Sequence, residues 1–497
     1  MRLPSRLSEE ITALSCDSRT AGPGTLFICL RGAQRDGHAF AAEAYARGTR
    51  AFLCEFPPAG LASDAALAFV PDTRAALAPL AAAFYGHPER ALSLIGITGT
   101  KGKSTTAEMI CRLLGAAGVS VGYIGSGGAR YGGTRLSTDN TTPEPLTLFR
   151  LLSDMRRHGV RAVVLEVSSQ ALATHRTDGL IFPITVFTNL ARDHIGVGEH
   201  PDFSHYREEK SRLFSEHGAR VMVVDADDGA TPFMLARASA EEVLSISAIR
   251  EDVDLFISPP RAFRQEGHFA SACLLHTKTG ERIPLSLPLP GLCNAKNAAL
   301  ALLAARAYLL QAGDGRAVEL RALAPALADF SLRGRFEWVK TALPQVDFVI
   351  DYAHNGFSLS AAIEALRAFS PARLVCLFGS VGARTYSRRT ELARAAAAAD
   401  FAIVTTDNPD TEPPEDTMRE LCLVLDEMGR DYIAIPDRRA ALAYAVQHAR
   451  PGDLVLLAGK GHEDYQLIDG RRHPFSERQI LVEEAARMPL AAFVSGK

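Results

Sequence analysis

Apolar residues recur along this chain in two rhythms. Short, nearly unbroken runs such as "LSLIGIT", "RAVVLEVSS", "ITVFTNL" and "ARVMVVDADD" alternate with stretches such as "TTAEMICRLLGAAGV", whose apolar positions return every three to four residues. The first kind predicts strands buried on both faces of a parallel sheet, and the second predicts amphipathic helices. Their alternation predicts an α/β fold. The pattern falls into three segments. Residues 1–90 hold "GTLFICL", "AFLCEF" and "LAFV" and end at the turn-rich "YGHPERA". Residues 91–332 carry the long parallel-sheet runs, and in 333–497 the rhythm restarts with "DFVIDYAH", "ARLVCLFGS", "DFAIVTTDNP" and "DLVLLAGKGHE". Three domains also suit the length of 497 residues. Each of these last four strands ends in polar or glycine residues, where ligands bind in open α/β sheets.

Composition narrows the functional classes. With 47% hydrophobic and 22% charged residues the chain reads as globular, and a net charge of -3 leaves no basic footprint for nucleic acid. The eight cysteines form no C-x-x-C pair, and several lie in apolar runs, which predicts reduced thiols in a cytoplasmic protein. The N-terminus "MRLPSRLSEEITALS" has acids where a signal peptide needs an apolar segment. No apolar run approaches the roughly 18 residues of a membrane span. A monomer is expected.

The chemistry concentrates first in "ITGTKGKST", residues 97–105. Strand, tight loop and helix are predicted in succession. Backbone amides at the helix start, Gly99 and Gly102 allowing close approach, and Lys103 together suit a polyphosphate, with the Ser104 hydroxyl suited to magnesium. The usual G-x-x-x-x-G-K-[ST] spacing fails by one position, because Ile97 stands where the first glycine belongs and Gly96 comes one residue early. Further along, Glu166 closes "VVLEVSS", and Asp193 and His194 close "TNLARDH". A lone carboxylate at a strand end also suits a helix cap. Glu166 and His194 following a phosphate loop suggest magnesium ligands, His194 being the weaker candidate because magnesium prefers oxygen.

Taken in order, "DSRTAGPGTLFICLRG", "DGHAF", "GITGTKGKSTT", "NTTP", "EVSS", "TNLARDH", "HYREEKSRLF", "LPGLCNAKNA", "GRFE", "DYAHN", "DNP" and "GKGHEDYQ" make the chain resemble the Mur ligase family of ATP-dependent amide-bond-forming enzymes. The resemblance covers nearly the whole chain and is densest to the branch that adds the third residue of the peptidoglycan stem peptide. It implies a UDP-substrate-binding N-terminal α/β domain, a central P-loop mononucleotide-binding domain and a C-terminal Rossmann-like domain that takes the amino acid. The substrates it implies are ATP, UDP-N-acetylmuramoyl-L-alanyl-D-glutamate and a diamino acid, with Mg2+ as cofactor. The displaced glycine is this family's own form of the loop. By resemblance, Gly99, Thr100, Lys101, Gly102, Lys103, Ser104 and Thr105 would hold the ATP phosphates, Asn297 the adenine, and Arg335, Asp351 and His354 other parts of the nucleotide. Ser18 would meet the uridine diphosphate, and Asn140, Thr141, Thr142, Ser168 and Arg176 the remainder of that substrate.

Lys210, in "HYREEKSRLF", matches a lysine that the family carries as a carbamate made with CO2, although "REEK" alone suits a solvated helix face. The resemblance thus implies Ser104, Glu166, His194 and carbamylated Lys210 as the metal set, and Lys103, Glu166, His194 and Lys210 as the catalytic group. For the incoming amino acid it points to Arg384, Asp407, Asn408, Asp410, Gly459 and Glu463. Relatives that add meso-diaminopimelate carry D-N-P-R, whereas this chain reads "DNPD". An anion at 410 disfavours a distal carboxylate, so L-lysine is the expected acceptor, with meso-diaminopimelate the alternative and a Pro-stiffened turn the plain reading of "DNPD". Gln170 replaces the family's histidine after "EVSS", and Thr174 a glutamine, so muramoyl-dipeptide contacts are expected to differ in detail.

Overall fold

The computed structural model describes residues 10–32, 35–193, 195–196, 199–265, 268–313, 319–382 and 386–488. The chain divides into two compact units, one of residues 1–245 with 303–317 and one of residues 246–302 with 318–497. Among the described residues no helix is long and apolar enough to cross a membrane. All eight cysteines are free, Cys29, Cys54, Cys111 and Cys376 buried and Cys293 exposed.

The first unit opens with a parallel sheet whose strands Ala13–Ser15, Thr25–Ile28, Ala51–Cys54 and Ala66–Phe69 lie side by side in chain order. Successive side chains go to opposite faces. Phe27, Phe52 and Cys54 pack on one side, while Leu26, Ile28, Leu53 and Leu77 of the helix Thr73–Phe84 pack on the other. A larger sheet follows in the order Val221–Asp225, Ile184–Phe187, Ser93–Thr98, Ala162–Glu166, Val121–Gly125, all parallel, closed by the antiparallel strands Gly128–Tyr131 and Thr134–Leu136. The strand Ser93–Thr98 is thus flanked on both sides. It runs straight into the helix Lys103–Ala116 through residues 99–102. Thr98, Glu166 and Phe187 all end at one edge of this sheet.

In the second unit His268–Thr277 pairs antiparallel with Leu255–Ile257, Arg261–Gln265 and Arg282–Leu287. A six-stranded sheet then runs Glu337–Val339, Asp347–Asp351, Asp453–Ala458, Arg373–Phe378, Phe401–Val404, Tyr432–Ala434, parallel except for its first strand. Helices Gly356–Arg367, Tyr386–Ala396 and Pro414–Glu427 cover one face, and Arg438–Gln447 and Glu477–Arg487 the other. Burial on both faces explains the unbroken apolar wording of "RLVCLF" and "DLVLLA". The α/β fold expected from the sequence is the observed one.

Candidate active site

The phosphate loop is shaped by its glycines. Gly99 has φ +150°, and a Cβ there would stand 1.9 Å from the Thr188 hydroxyl oxygen. Gly102, at φ +84°, caps the helix Lys103–Ala116 in a left-handed conformation. The loop is tied to the neighbouring strand end. The Thr100 amide donates to the Asn189 carbonyl, the Lys101 amide to Asn189 Oδ1 at 2.9 Å, and Thr188 Oγ1 and Asn189 Nδ2 both donate to the Lys101 carbonyl. "TNL" suggested only a strand end by its wording, so the bracing role of Thr188 and Asn189 was missed.

Two ammonium groups converge on one oxygen of this loop. Lys103 Nζ donates to the Gly99 carbonyl at 2.7 Å, and Lys210 Nζ, from the helix Phe203–Ser215, donates to the same carbonyl at 3.0 Å. Lys210 is not on a solvated face; it is 2% exposed and 4.7 Å from the centre of the Tyr206 ring, whose hydroxyl meets Thr100 Oγ1. Burial first, then the charge of Lys103, holds the Lys210 amine well below the ordinary lysine range, with Asp193 opposing and Lys101 adding to the depression. Lys101 itself pairs with buried Asp193 at 3.2 Å.

Glu166 is wholly buried at the end of its strand, and Ser104 Oγ donates to its carboxylate at 3.0 Å. Tyr123 Oη and the Ser126 amide donate to the other carboxylate oxygen at 2.5 and 3.1 Å. Gly125 makes room, since a Cβ there would lie 2.2 Å from that oxygen. Tyr123 and Ser126 are functional partners that sequence reasoning did not name. The Glu166 carbonyl also receives the Thr142 hydroxyl, whose oxygen takes the Ser168 amide, while Arg176 donates to the Thr142 carbonyl and pairs with Glu144 at 2.9 Å. Thr141 meets Ser126 through their hydroxyls at 2.9 Å. Thr141, Thr142, Ser168 and Arg176 therefore gather beside Glu166. Asn140 is exposed next to them. Ser18 lies in the turn after the strand Ala13–Ser15 with its hydroxyl on Glu43; Asp17 beside it and Glu144 line one cavity of about 430 Å³. His194 lies outside the described residues.

A hard divalent cation fits this donor set. A hydroxyl and a carboxylate already meet at the phosphate loop, both oxygen donors of the kind magnesium takes.

In the second unit "GRFE", "DYAHN" and "GKGHE" are packed together through glycine contacts. A Cβ at Gly334 would overlap the His462 amide at 2.1 Å, and one at Gly461 would overlap Tyr352 at 2.5 Å. Tyr352, unnoticed in the sequence, is the hub: Arg335 lies over its ring at 4.7 Å, His354 Nδ1 meets its carbonyl, and its hydroxyl donates to Glu463 at 3.3 Å. Asp351 accepts the Phe336 amide; burial raises its carboxyl above the ordinary range, and the Arg335 charge partly offsets this. Asn297 is buried on the helix Leu292–Gln311.

The expected amino-acid residues meet around Lys460, a fully buried cation the sequence reading passed over. Its Nζ donates to Asn408 Oδ1 and to Glu463 at 3.2 Å and pairs with Asp407 at 3.2 Å, while Asn408 Nδ2 donates to Glu463. Gly459, at φ +111°, brings its backbone against Asp407. Asp410 has another task. It sits at φ +54°, pairs with Ile468 of the hairpin Tyr465–Ile468/Arg471–Pro474, and its carboxylate accepts the Gly470 amide at 2.8 Å. "DNPD" therefore ends in a bridge to the hairpin at Asp410 rather than in a turn of its own. Arg384 lies outside the described residues.

A phosphate loop at the carboxyl edge of a parallel sheet, with a buried carboxylate on its serine, marks an α/β nucleotide-binding protein. Family comparison goes further. Residues 10–85 match "Mur ligase family, catalytic domain", 97–305 "Mur ligase middle domain" and 334–461 "Mur ligase, glutamate ligase domain". A Chlorobaculum tepidum protein named "UDP-N-acetylmuramoyl-L-alanyl-D-glutamate--2,6-diaminopimelate ligase" is 40% identical over 494 residues, 96% of this chain and 93% of its own. The Pseudomonas aeruginosa protein of that name is 36% identical, covering 96% and 94%. A solved structure of a ligase of the same name has TM-score 0.65 at 28% identity, covering 95% and 94% of the two chains. A Thermotoga maritima MurF ligase in complex with ADP shares the fold, with TM-score 0.63 at 19% identity over 98% of each. The chain belongs to the Mur ligase family.

Proposed function

We propose that this protein is an ATP-dependent ligase that joins a diamino acid to UDP-N-acetylmuramoyl-L-alanyl-D-glutamate in peptidoglycan synthesis, in the cytoplasm, with 2,6-diaminopimelate as the acceptor. Of the two acceptors weighed from the sequence, the names of the relatives favour diaminopimelate over the L-lysine expected first. Asp410 also has a structural task, its carboxylate accepting the Gly470 amide, so its presence does not by itself mark the acceptor. We also propose the three functional segments 1–90, 91–332 and 333–497, supported by the three family matches.

The observation that carries the site reading is the convergence of Lys103 and Lys210 on the Gly99 carbonyl. Lys103 would leave that carbonyl for the ATP phosphates. Burial favours the neutral form of the Lys210 amine, and that form is a nucleophile for CO2: its nitrogen lone pair forms the N–C bond, a proton leaves to solvent, and an anionic carbamate results. The carbamate would then stand as an anion beside the Lys103 ammonium. Ser104, Glu166 and the carbamate would hold magnesium, which neutralises phosphate charge in phosphoryl transfer. ATP phosphorylates the glutamate carboxylate to an acyl phosphate, because a free carboxylate is too poor an electrophile. The incoming amine attacks its carbonyl carbon, the amide forms, and ADP and phosphate are released. Arg176, Ser168 and Thr142 orient the muramoyl-dipeptide, and Asn408 and Glu463 orient the diamino acid.

ADP release is the test. It should require both the UDP-muramoyl-dipeptide and a diamino acid, with meso-2,6-diaminopimelate turning over faster than L-lysine in parallel assays. Steady ADP release with either substrate omitted refutes the ligase, and preference for L-lysine refutes the acceptor.

A further inference from the structure

Arg438 is the first residue of the helix Arg438–Gln447, whose N-cap is Asp437. A cation in the first turn works against the helix dipole, so helix formation does not account for an arginine there. Its side chain is nevertheless among the most deeply buried in the chain, at 1% exposure. The guanidinium donates to three acceptors. Nε meets Glu477 at 2.9 Å, Nη1 the Thr406 carbonyl at 3.0 Å and Nη2 the Ala458 carbonyl at 2.9 Å.

Those two carbonyls end different strands. Ala458 closes Asp453–Ala458, and Thr406 follows Phe401–Val404; in the sheet these strands are not neighbours, since Arg373–Phe378 runs between them. The segment after 404 crosses over the end of that middle strand, where a Cβ on Gly379 would lie 2.3 Å from the Thr405 carbonyl. The backbone ladders tie each outer strand to the middle one as far as Leu457 and Val404, with the Thr405 amide still donating to the Phe378 carbonyl; the Thr406 and Ala458 carbonyls lie just beyond them, and one side chain, that of Arg438, joins the two. The residues immediately beyond its two carbonyl partners are Asp407 and Asn408 on one side and Gly459 and Lys460 on the other, the groups that meet in the proposed diamino-acid site.

We infer that Arg438, held by Glu477, is a positioning residue for the diamino-acid site: one planar guanidinium fixes the spacing of the two strand ends that carry Asp407, Asn408 and Lys460. The planar fork matters, because a lysine there has no rigid pair of donors to span two carbonyls. The inference rests on the proposed amino-acid site, and the experiment separates the two. Wild-type turnover is measured first against meso-2,6-diaminopimelate and L-lysine, which decides the acceptor; the variants are then assayed with whichever amino acid the wild type uses.

Removing Arg438 alone would leave Glu477 buried and unpaired, so the main variant is the double exchange R438M/E477L, which replaces the ion pair by apolar side chains and is expected to fold. Positioning predicts a KM for the amino acid raised about tenfold or more, with the KM for ATP and the melting temperature within the wild-type range. A folded double variant with unchanged amino-acid KM overturns the inference. The single variant Arg438→Lys gives the second reading. It keeps the charge beside Glu477 and should show the same selective rise in amino-acid KM; wild-type KM values for it likewise overturn the assignment.

Discussion

Replacing Lys210 by methionine should make the protein more stable and inactive at once. The ammonium nitrogens of Lys103 and Lys210 lie 2.7 and 3.0 Å from one oxygen, so they are no more than about 6 Å apart. Two like charges at that distance repel by roughly 3 kcal/mol at an effective dielectric of about 20, before the cost of burying Lys210 is added. The folded protein therefore holds the Lys210 proton less tightly than the unfolded chain does. A base whose pKa is depressed on folding costs stability as pH falls from the ordinary lysine range to the depressed value, and the full cost is present below it. Methionine removes that cost and retains the packing against Tyr206. In CO2-free buffer at neutral pH, Lys210→Met should melt higher than the wild type. Bicarbonate should close the gap by stabilising the wild type alone, because the carbamate turns repulsion by Lys103 into attraction. Turnover of Lys210→Met should fall by about two orders of magnitude or more, the usual scale for losing a preorganised charge in an active site, with partial return in excess acetate. A wild type whose melting point ignores bicarbonate, or a Lys210→Met variant with ordinary turnover, would falsify the carbamate assignment.

Gly99→Ala should abolish nucleotide binding, since its Cβ falls on Thr188 Oγ1; calorimetry showing wild-type ATP affinity would refute the tight-loop account. Glu166→Gln keeps the shape beside Ser104 and removes the charge, so kcat should drop about 10²–10³-fold and half-maximal magnesium should rise in a titration. An unchanged magnesium requirement would remove Glu166 from the metal set. For Asp351, burial raises the carboxyl, so its contribution to stability is present at low pH and lost as pH rises through the raised value; denaturant unfolding between about pH 4 and pH 7 should show this fall in the wild type and a flatter profile in Asp351→Asn. Identical profiles would contradict it. Asp410→Ala should cost about 1 kcal/mol through the lost Gly470 contact and leave the ratio of diaminopimelate to lysine turnover unmoved, as steady-state assays would show.

What the sequence made legible, and what it did not, divides along a physical line. The phosphate loop could be read because its chemistry is local. Gly99, Gly102, Lys103 and Ser104 act through their own backbone and through the strand and helix on either side, so seven adjacent letters hold most of the information. Glu166 was legible as a strand-end carboxylate, and its meeting with Ser104 follows from the adjacency of two parallel strands. Thr188, Asn189, Tyr123 and Tyr352 were not legible, because each acts by donating to a loop brought near by the sheet, and their own neighbours in sequence carry no trace of that. Lys460 and Arg438 were hidden for a related reason. Buried cations read as surface residues until the carboxylates and carbonyls that pair with them are placed, and all of those but Glu463 lie 20 or more residues away in the chain.

Asp410 shows how one residue can carry a charge and a structural task at once. Its charge was read properly, but the argument from charge assumed that the carboxylate faces the substrate. The backbone at 410 is left-handed, at φ +54°, and is bridged to Ile468, so the side chain is committed to the amide of Gly470 in the hairpin turn. Aspartate is among the few residues that tolerate that conformation, which gives position 410 a reason to carry it that is independent of the amino acid bound. The proposed amino-acid site offers other groups for selectivity. Around Lys460 the carboxylates of Asp407 and Glu463 face one ammonium, leaving one formal negative charge in excess to receive an ammonium group of the incoming amino acid. Both candidate acceptors present such a group, so in the proposed site this cluster would take the amine-bearing end and leave discrimination to whatever meets the distal carboxylate. Acceptor preference should accordingly survive Asp410→Ala. Substitution of Glu463 by glutamine should weaken both acceptors together, and a change in their ratio in that variant would place the selectivity back in the acidic cluster.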